Sequence, residues 1–261
     1  MTDSQLFPAL LKHWRGKRGL SQLDLALAAD VSPKHVSFLE TGRSVPSPSM
    51  IHRLAQTLGV PLRSVNSMLR AAGHPPVYDE VAALPDAASK ALDLLLEHHE
   101  PFPVMVVNRL YRLERLNKAG VRLLATVLGD TDPDGLNIAR LTFDPDGAQP
   151  FLVNFDEVGR TLLWRIQREA LENPDDGELR GLLDELLDMP TVSPDWREVD
   201  LAAPSEPTTG VHLRAGPLEL RFVTIMTAFQ APQNVALDEL RIETWLPADD
   251  ATAELCRALA Q

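Results

Sequence analysis

The sequence predicts an all-α domain of five helices followed by an α+β domain with a small antiparallel sheet. Apolar residues recur at helical spacing up to Gly73, whereas the short alternating runs typical of strands begin only after Leu84. Between them, the stretch GHPPVY at 73–78 has the glycine and prolines of a linker or domain edge. We therefore predict one domain at 1–78 and a second at 79–261.

Charge is divided unequally between these two predicted domains. Residues 1–78 carry nine basic and four acidic side chains, a net charge of +5, whereas the remainder carries 16 basic and 33 acidic side chains, a net charge of −17. A basic domain attracts the phosphates of nucleic acid even when the chain as a whole is acidic. The charge division therefore favours a DNA-binding domain attached to an acidic regulatory domain.

Five helices account for the first domain. The first spans residues 4–17 with Leu6, Leu10, Leu11 and Trp14 on its inner side, the second follows Ser21, the third begins at Ser32-Pro33, the fourth at Ser47-Pro48, and the fifth spans Pro61 to Ala72. Serine is a preferred N-cap, and proline has the backbone angle of the first helical turn. Asp24 stands in the capping-box position relative to Ser21. Asp30 lies at a bend that needs a residue tolerant of left-handed geometry.

The second and third helices are predicted to form a helix-turn-helix. Val36 and Leu39 point into the core at a three-residue spacing, which leaves Pro33, Lys34, Ser37 and Phe38 facing outward near the start of the third helix. A helix-turn-helix offers side chains to the major groove of DNA in this way. The sequence therefore predicts that double-stranded operator DNA is a partner.

The segment SQLDLALAADVSPKHVSFLETGR at 21–43 resembles the phage-repressor, or xenobiotic-response-element-like, family of helix-turn-helix regulators, and the resemblance extends over roughly 5–73. It implies that Gln22 contacts a phosphate, that the outward residues of the third helix face base edges, and that Arg43 with Ser44 meets backbone phosphates. The predicted DNA-binding set is Gln22, Ser32, Pro33, Lys34, Ser37, Phe38, Arg43 and Ser44. Pro33 and Phe38 lack the bidentate donors that many relatives use. We therefore expect readout through Lys34, thymine methyl groups and DNA shape.

The second domain alternates helices with two groups of strands. Predicted helices span Asp86–His99, Asn117–Leu128, Leu136–Leu141, Asn154–Glu172, Asp176–Asp188 and Asp249–Ala260, and predicted strands span 102–107, Tyr111–Leu116, Val211–Arg214, Leu218–Ala228 and Arg241–Leu246. Asn108-Arg109 and Ala215-Gly216-Pro217 are predicted hairpin turns. Scattered acidic residues on the helices over 154–188 indicate solvated faces. This order of elements is typical of an α+β domain.

A sheet with a hairpin first, helices in the middle and a meander last resembles PAS-type sensor domains. In detail, VMVVNRLYRLERLNKAGVRLL, LTFDPDGAQPFLVNFDEVGR, LDELLDMP and LRFVTIMTAFQAPQNVALDELRIETWLPAD resemble the MmyB-like ligand-binding family of bacterial, especially actinobacterial, regulators over roughly 84–260. The resemblance implies a PAS-like pocket for a long-chain fatty acid or similar apolar ligand, in a dimeric repressor or activator. Phe155 stands where tryptophan is common in the family and Asp144 where histidine is common, which leaves the ligand's identity open.

The resemblance implies a set of pocket residues: Phe102, Met105, Arg112, Asn117, Phe151, Asn154, Phe155, Arg160, Trp164, Phe222, Thr224 and Met226. A bound carboxylate needs charge-assisted donors at the mouth of an apolar cavity, and Arg112, Arg115, Asn117, Asn154 and Arg160 are the candidates. Periodicity alone favours an ordinary hydrophobic core for these residues, and only the family resemblance supports a pocket. Asn117 and Asn154 also fit simple N-caps, and Arg160 fits a surface charge.

Other classes of protein find little support in the sequence. Cys256 is the only cysteine, which excludes an intramolecular disulfide and a cysteine-based metal cluster. His98 and His99 would diverge by about 100° on a helix, so no metal site is predicted. Motifs for phosphate loops, serine hydrolases and zinc proteases are absent, so we predict no catalytic residue and no cofactor besides a possible bound fatty acid.

The sequence also favours a location inside the cell. No apolar run approaches the roughly 18–20 residues that cross a bilayer, and the N-terminus lacks the pattern of a signal peptide. We therefore expect a cytoplasmic protein without membrane contact, and the resemblance to the MmyB-like family implies that it forms a homodimer. Two alternatives stay open: a second domain that binds a partner protein and no small molecule, and an enzyme with a DNA-binding domain.

Overall fold

The computed structural model describes residues 6–80, 83–129, 132–173, 176–197, 208–229 and 233–260. The chain divides into two compact units. The first comprises Met1–Ala83 with Ala231–Asp238, and the second comprises Leu84–Gln230 with Glu239–Gln261. The domain boundary at residue 78 stays a prediction.

The first unit contains the five predicted helices. These are α1 (Leu6–Lys17), α2 (Gln22–Ala28), α3 (Pro33–Glu40), α4 (Pro48–Leu58) and α5 (Leu62–Ala71). The first two residues of the helix predicted at 4–17 lie outside the described residues. The inward residues of all five helices meet in one core, in which Leu11, Leu25, Val36, Leu39 and Leu54 are fully buried. This core fixes α2 against α3.

The predicted caps that shape the helix-turn-helix are confirmed. The Ser21 hydroxyl accepts from the Asp24 N–H at 3.1 Å, while the Asp24 carboxylate accepts from the Ser21 N–H at 2.9 Å. Asp30, at the bend between α2 and α3, has φ +50°. The Ser32 hydroxyl accepts from the His35 N–H and caps α3, whose first residue is Pro33. Local sequence therefore sets the angle at which α3 is presented.

The cap of α5 comes from a distant part of the chain. Pro61 precedes α5 and offers no side-chain cap, and the Leu62 N–H instead donates to the Asp238 carboxylate at 2.9 Å. Asp238 ends a short helix, Val235–Asp238, which was not predicted and which belongs to the first unit.

The second unit is an α+β domain. Its helices are α6 (Asp86–His98), α7 (Lys118–Leu128), α8 (Ile138–Phe143), α9 (Phe155–Glu172), α10 (Gly177–Leu187) and, after the short helix Val235–Asp238 (α11), α12 (Asp250–Leu259); its strands are β1 (Val104–Val107), β2 (Leu113–Leu116), β3 (Thr208–Ala215), β4 (Leu218–Thr227) and β5 (Arg241–Pro247). The strands form one antiparallel sheet in the order β2-β1-β5-β4-β3. The predicted fold class is confirmed for both units.

The sheet register decides which side chains share the face that α7 and α9 cover. Met105 and Met226 both lie opposite Glu243, and Thr224 lies opposite Trp245. Because side chains of paired antiparallel residues point to the same face, these five lie together on it.

Several element boundaries differ from the prediction by two or three residues, among them the start of β3 at Thr208. The first hairpin has a longer turn than Asn108-Arg109, because Tyr111 has φ +60° and the Asn108 side-chain oxygen accepts from the N–H groups of Leu110 and Arg112. The helix predicted at Leu136–Leu141 begins at Ile138, because Asn137 caps it. In the described ranges, no helix combines the length and apolar character that crossing a bilayer requires.

Candidate DNA-binding surface and ligand cavity

The outward face of α3 carries an aromatic ring between two cations. Pro33, Lys34 and Arg43 are exposed, and Phe38 is half-buried. Lys34 Nζ lies 5.5 Å and Arg43 Cζ 5.9 Å from the centre of the Phe38 ring. Each cation–π contact at an exposed site contributes about 0.5–1 kcal/mol. Phe38 thus holds two positive charges over the surface that the sequence assigns to DNA.

Gln22 is held by a network that sequence reasoning did not foresee. Its side-chain amide donates to the Glu40 carboxylate at 2.7 Å, and the Arg15 guanidinium donates to both oxygens of the same carboxylate at 2.5 and 3.0 Å. Burial opposes ionisation of Glu40, but the hydrogen bonds from Arg15 and Gln22 hold the pKa of Glu40 below its usual value. The network ties α1, α2 and α3 together beneath the predicted DNA-binding surface.

The structure brings the whole predicted DNA-binding set to one region, α2, α3 and the loop after α3. Within that set, the Ser32 hydroxyl is used as the cap of α3, Ser37 and Ser44 are half-buried, and the Gln22 amide is bound to Glu40. Their contacts with DNA stay predictions.

The second unit contains a partly open cavity between the sheet and helices α7, α8 and α9. Its volume is about 110 Å³ and its walls are mostly apolar, with Val107, Leu123, Leu124, Ile138, Leu162 and Val211 among the lining residues. On this measure a cavity needs about 10–15 Å³ to hold one water molecule, so this one has room for several. It is therefore large enough for a small organic molecule.

Charged groups are concentrated at one part of the cavity wall. Arg165 from α9 and Glu243 from β5 both line it, together with the indole of Trp245. Desolvation by burial raises the pKa of the Glu243 carboxyl, and the Arg165 charge and the Trp245 indole N–H offset this only in part. The indole nitrogen is buried and lies near that carboxyl group, but no acceptor among the described residues meets it in full hydrogen-bond geometry.

One helical turn further along α9, a second pair of opposite charges forms an ion pair. The Arg241 guanidinium lies 3.0 Å from the Glu169 carboxylate and 5.3 Å from the centre of the Tyr111 ring. The Tyr111 hydroxyl donates to Glu169 at 3.2 Å, and burial raises the pKa of that hydroxyl. Glu169 is therefore an inward, paired residue, and the prediction that it lies on a solvated face was wrong.

Of the predicted ligand-binding residues, Met105 and Thr224 line the cavity. The others are placed as follows: Phe102, Phe151 and Phe222 lie in a neighbouring apolar cluster; Phe155 packs on Phe143 and Trp196; Arg160 lies over Trp164 and Trp196 and pairs with Asp195; Met226 accepts from Arg165; and Arg112 is exposed, with its backbone bridged to Asn137.

Asn117 has its amide fully engaged in the fold. Its oxygen accepts from Gly120 N–H at 2.9 Å, which caps α7 as predicted, and from Val104 N–H at 3.0 Å, while its nitrogen donates to Phe102 C=O at 2.8 Å. Arg115, the remaining candidate donor, pairs with Asp93 and bonds Ser89.

Asn154 does not cap α9 with its side chain, so that interpretation was wrong. Its amide donates to Gly210 C=O and accepts from His212 N–H, each at 3.0 Å. These two bonds continue the hydrogen bonding of the β3 edge, which is available only after the chain has folded.

Sequence reasoning missed Arg165, Glu243 and Trp245. The only signal was the alternation in the β5 segment RIETWLP, where Arg241, Glu243 and Trp245 share one face. Charged residues on the inward face of a strand are uncommon unless they are paired or functional.

Comparison with known proteins agrees with this arrangement. Residues 88–259 match the model of the MmyB-like transcription regulator ligand binding domain, and residues 11–65 match a helix-turn-helix model. No curated protein matches the chain significantly. Among solved structures, the chain is similar to an "RNA-binding Light-Oxygen-Voltage Receptor" at 14% identity and a TM-score of 0.30, over 93% of this chain and 63% of that one.

The likeness to that receptor is too distant to carry an argument, and the chain spans less than two thirds of its length. The two families matched by sequence are those of transcription regulators and ligand-binding domains, not of enzymes. Because the first match covers well over half of the residues, the chain belongs to the family of MmyB-like transcription regulators with a ligand-binding domain, preceded here by a helix-turn-helix.

Proposed function

We propose that the chain controls transcription as a homodimer that binds operator DNA through α2 and α3 and a fatty acid through the cavity. The observation that carries the ligand assignment is the cavity itself, whose apolar walls meet the guanidinium of Arg165 at one part. Apolar walls take up a hydrocarbon chain, and a guanidinium binds a carboxylate through charge-assisted hydrogen bonds. We expect the same PAS-like domain to dimerise.

The size of the cavity favours a shorter acid over a longer one. Its volume of about 110 Å³ compares with roughly 150 Å³ for an apolar cavity that binds benzene. An acid of about ten carbons therefore requires the helices over the sheet to move apart, and longer acids require a larger movement.

Organic extraction of the purified protein, followed by mass spectrometry, tests the ligand assignment. Titration with acids of ten to eighteen carbons adds a thermal readout. A ligand at 100 times its Kd stabilises the folded protein by about 2.7 kcal/mol, which raises the Tm of a unit of this size by about 5–10 °C. An extract without lipid and no shift with any acid would favour the partner-protein alternative.

Operator binding depends, in this proposal, on Lys34 and Ser37. Both lie on α3 outside its buried face, so their replacement leaves the core intact. Lys34→Ala with Ser37→Ala should weaken operator binding by about 1–3 kcal/mol in an anisotropy titration. Lys90→Ala, an exposed lysine on α6 in the other unit, is the matched control for lost charge. Equal affinity of the double variant and the control would refute the assignment of α3.

The chain offers a route by which ligand controls DNA affinity. β4 and β5 supply Thr224 and Glu243 to the cavity wall, and the segment that joins these strands includes α11, whose Asp238 caps α5. A ligand that favours one arrangement of β4 and β5 biases that cap and hence the placement of the recognition helix. In a homodimer, the two recognition helices must lie about 34 Å apart to enter successive major grooves.

A further inference from the structure

Two pairs of oppositely charged residues lie between α9 and β5. One of them forms an ion pair and is called the closed pair; the other forms none and is called the open pair. Arg241 and Glu169 form an ion pair at 3.0 Å. One turn earlier on α9, and two residues later on β5, Arg165 and Glu243 face the same cavity, yet Glu243 forms no ion pair within the described part of the chain. Both charge pairs lie in the same contact between α9 and β5. The missing ion pair therefore coincides with the cavity and is not a general feature of this contact.

Both members of the open pair retain hydrogen-bonding capacity. The one side-chain hydrogen bond of Arg165 in the described structure runs from Nη1 to the sulfur of Met226 at 3.6 Å, and a thioether is a weak acceptor. The indole N–H of Trp245, beside Glu243, is buried and meets no acceptor among the described residues in full hydrogen-bond geometry. Since buried donors left unpaired are costly, the wall near Arg165 is suited to a ligand that accepts hydrogen bonds.

The chemistry of such a ligand depends on the proton of Glu243. An ionised Glu243 would repel a carboxylate, whereas a protonated Glu243 adds an O–H donor to those of Arg165 and Trp245. Burial raises the pKa of Glu243 and favours the protonated form. The charged group that acts on it is Arg165 from α9, and the titratable Tyr111 lines the same cavity. The neighbouring strands β1 and β4 present Met105, Thr224 and Met226.

We propose that Glu243 carries a proton when ligand is bound and donates it in a hydrogen bond to the ligand's carboxylate, which Arg165 and Trp245 also bind. The bound state then holds one carboxylate, one neutral carboxyl group and one guanidinium, a net charge of zero at the site. Glu243 thereby selects a monocarboxylic acid, and binding takes up one proton wherever Glu243 is ionised in the ligand-free protein. This inference rests on the proposed binding of an apolar acid.

The experiment uses the full chain with decanoate and decanol as probes. In the wild type, the decanoate complex should show an infrared band of a protonated carboxyl group that Glu243→Gln removes, with ¹³C-labelled decanoate separating the ligand's own bands. Above the pKa of Glu243 in the ligand-free protein, wild-type affinity for decanoate should fall by about tenfold per pH unit. Glu243→Gln, a neutral mimic of the protonated form, should bind decanoate without that pH dependence.

Two further variants complete the design. Glu254→Gln, an exposed carboxylate on α12, should behave as the wild type. Arg165→Met should lose at least tenfold in affinity for decanoate while decanol binding is unchanged. A complex without the Glu243-dependent protonated band, or a tenfold loss of decanoate affinity in a folded Glu243→Gln variant, would overturn the inference. Failure of the wild type to bind any acid at any pH would instead refute the proposed function.

Discussion

Replacement of Asn117 separates a structural role from a ligand-binding role for this residue. Its side chain is 4% exposed and makes three hydrogen bonds of 2.8–3.0 Å, to Val104 N–H, Phe102 C=O and Gly120 N–H. The first two groups belong to the segment that enters β1, and the third starts α7. Asn117→Ala removes all three bonds and leaves buried backbone groups without a partner.

The cost follows from these contacts. Loss of an N-cap costs about 0.5–2 kcal/mol, and each further buried group left unpaired costs about 1–3 kcal/mol. We expect the free energy of unfolding of the second unit to fall by about 3–5 kcal/mol in the absence of ligand. Asn117→Ser keeps a hydroxyl oxygen that can cap α7, so it should cost less than Asn117→Ala.

Urea unfolding followed by tryptophan fluorescence measures this change, because three of the four tryptophans, Trp164, Trp196 and Trp245, lie in the second unit. A ligand-binding role predicts the opposite pattern: ligand-free stability within about 0.5 kcal/mol of the wild type, as for substitutions away from structural features, together with lost decanoate binding. That result would refute the structural account of Asn117.

Three further predictions concern the first unit. Glu40→Gln should destabilise it by about 1–3 kcal/mol at pH 7. The folded-state pKa of Glu40 is lowered, so the stabilisation is present above the unfolded pKa and is lost as pH falls through the folded pKa. Acid melts of variant and wild type should therefore converge below the folded pKa, and a constant difference would contradict the ion-pair account. Phe38→Ala should weaken operator binding about two- to tenfold, because Lys34 and Arg43 lose the ring that holds them. Phe38→Leu keeps the apolar bulk but not the ring. In the same titration, it separates the cation–π contact from contact with thymine methyl groups. Asp238→Ala should lower the stability of α5 by about 0.5–2 kcal/mol and reduce the effect of decanoate on operator affinity. Asp238→Asn keeps an accepting oxygen and should keep the response to decanoate. An unchanged response in Asp238→Ala would exclude the proposed route from the cavity through α11 to α5.

Elements governed by local chemistry could be predicted from the sequence. Ser21 with Asp24, Ser32 before Pro33, and Asn117 each fix a helix start through bonds to residues three positions away. The second hairpin follows from alternation on either side of Gly216, whose φ of +58° suits the turn. In these cases, the same interaction that the sequence displays is the one that the fold uses.

Elements that depend on distant partners could not be predicted. Helix α11 has four residues, too few for a periodic pattern, and its Asp238 finds its partner 176 positions earlier. Asn154 has the sequence position of an N-cap, yet its amide bonds strand residues 56 and 58 positions later. Sequence spacing carries no information about these contacts because tertiary folding creates them.

The pocket shows the same limit with a functional consequence. Arg165 and Glu169 are spaced as a solvated helix face would be, and Arg241 and Glu243 alternate as on a half-exposed strand. The fold turns both sets inward, where an uncompensated charge is destabilising and a closed pair is at best near neutral. The Arg241–Glu169 pair meets that requirement within the protein at 3.0 Å. Arg165 forms no ion pair among the described residues, so the ligand's carboxylate supplies its counter-charge while Glu243 is neutralised by a proton. A ligand that binds at Arg165 and Glu243 stabilises the second unit. If it binds one arrangement of that unit more tightly than another, the difference in binding free energy is what it can exert on the DNA-binding unit.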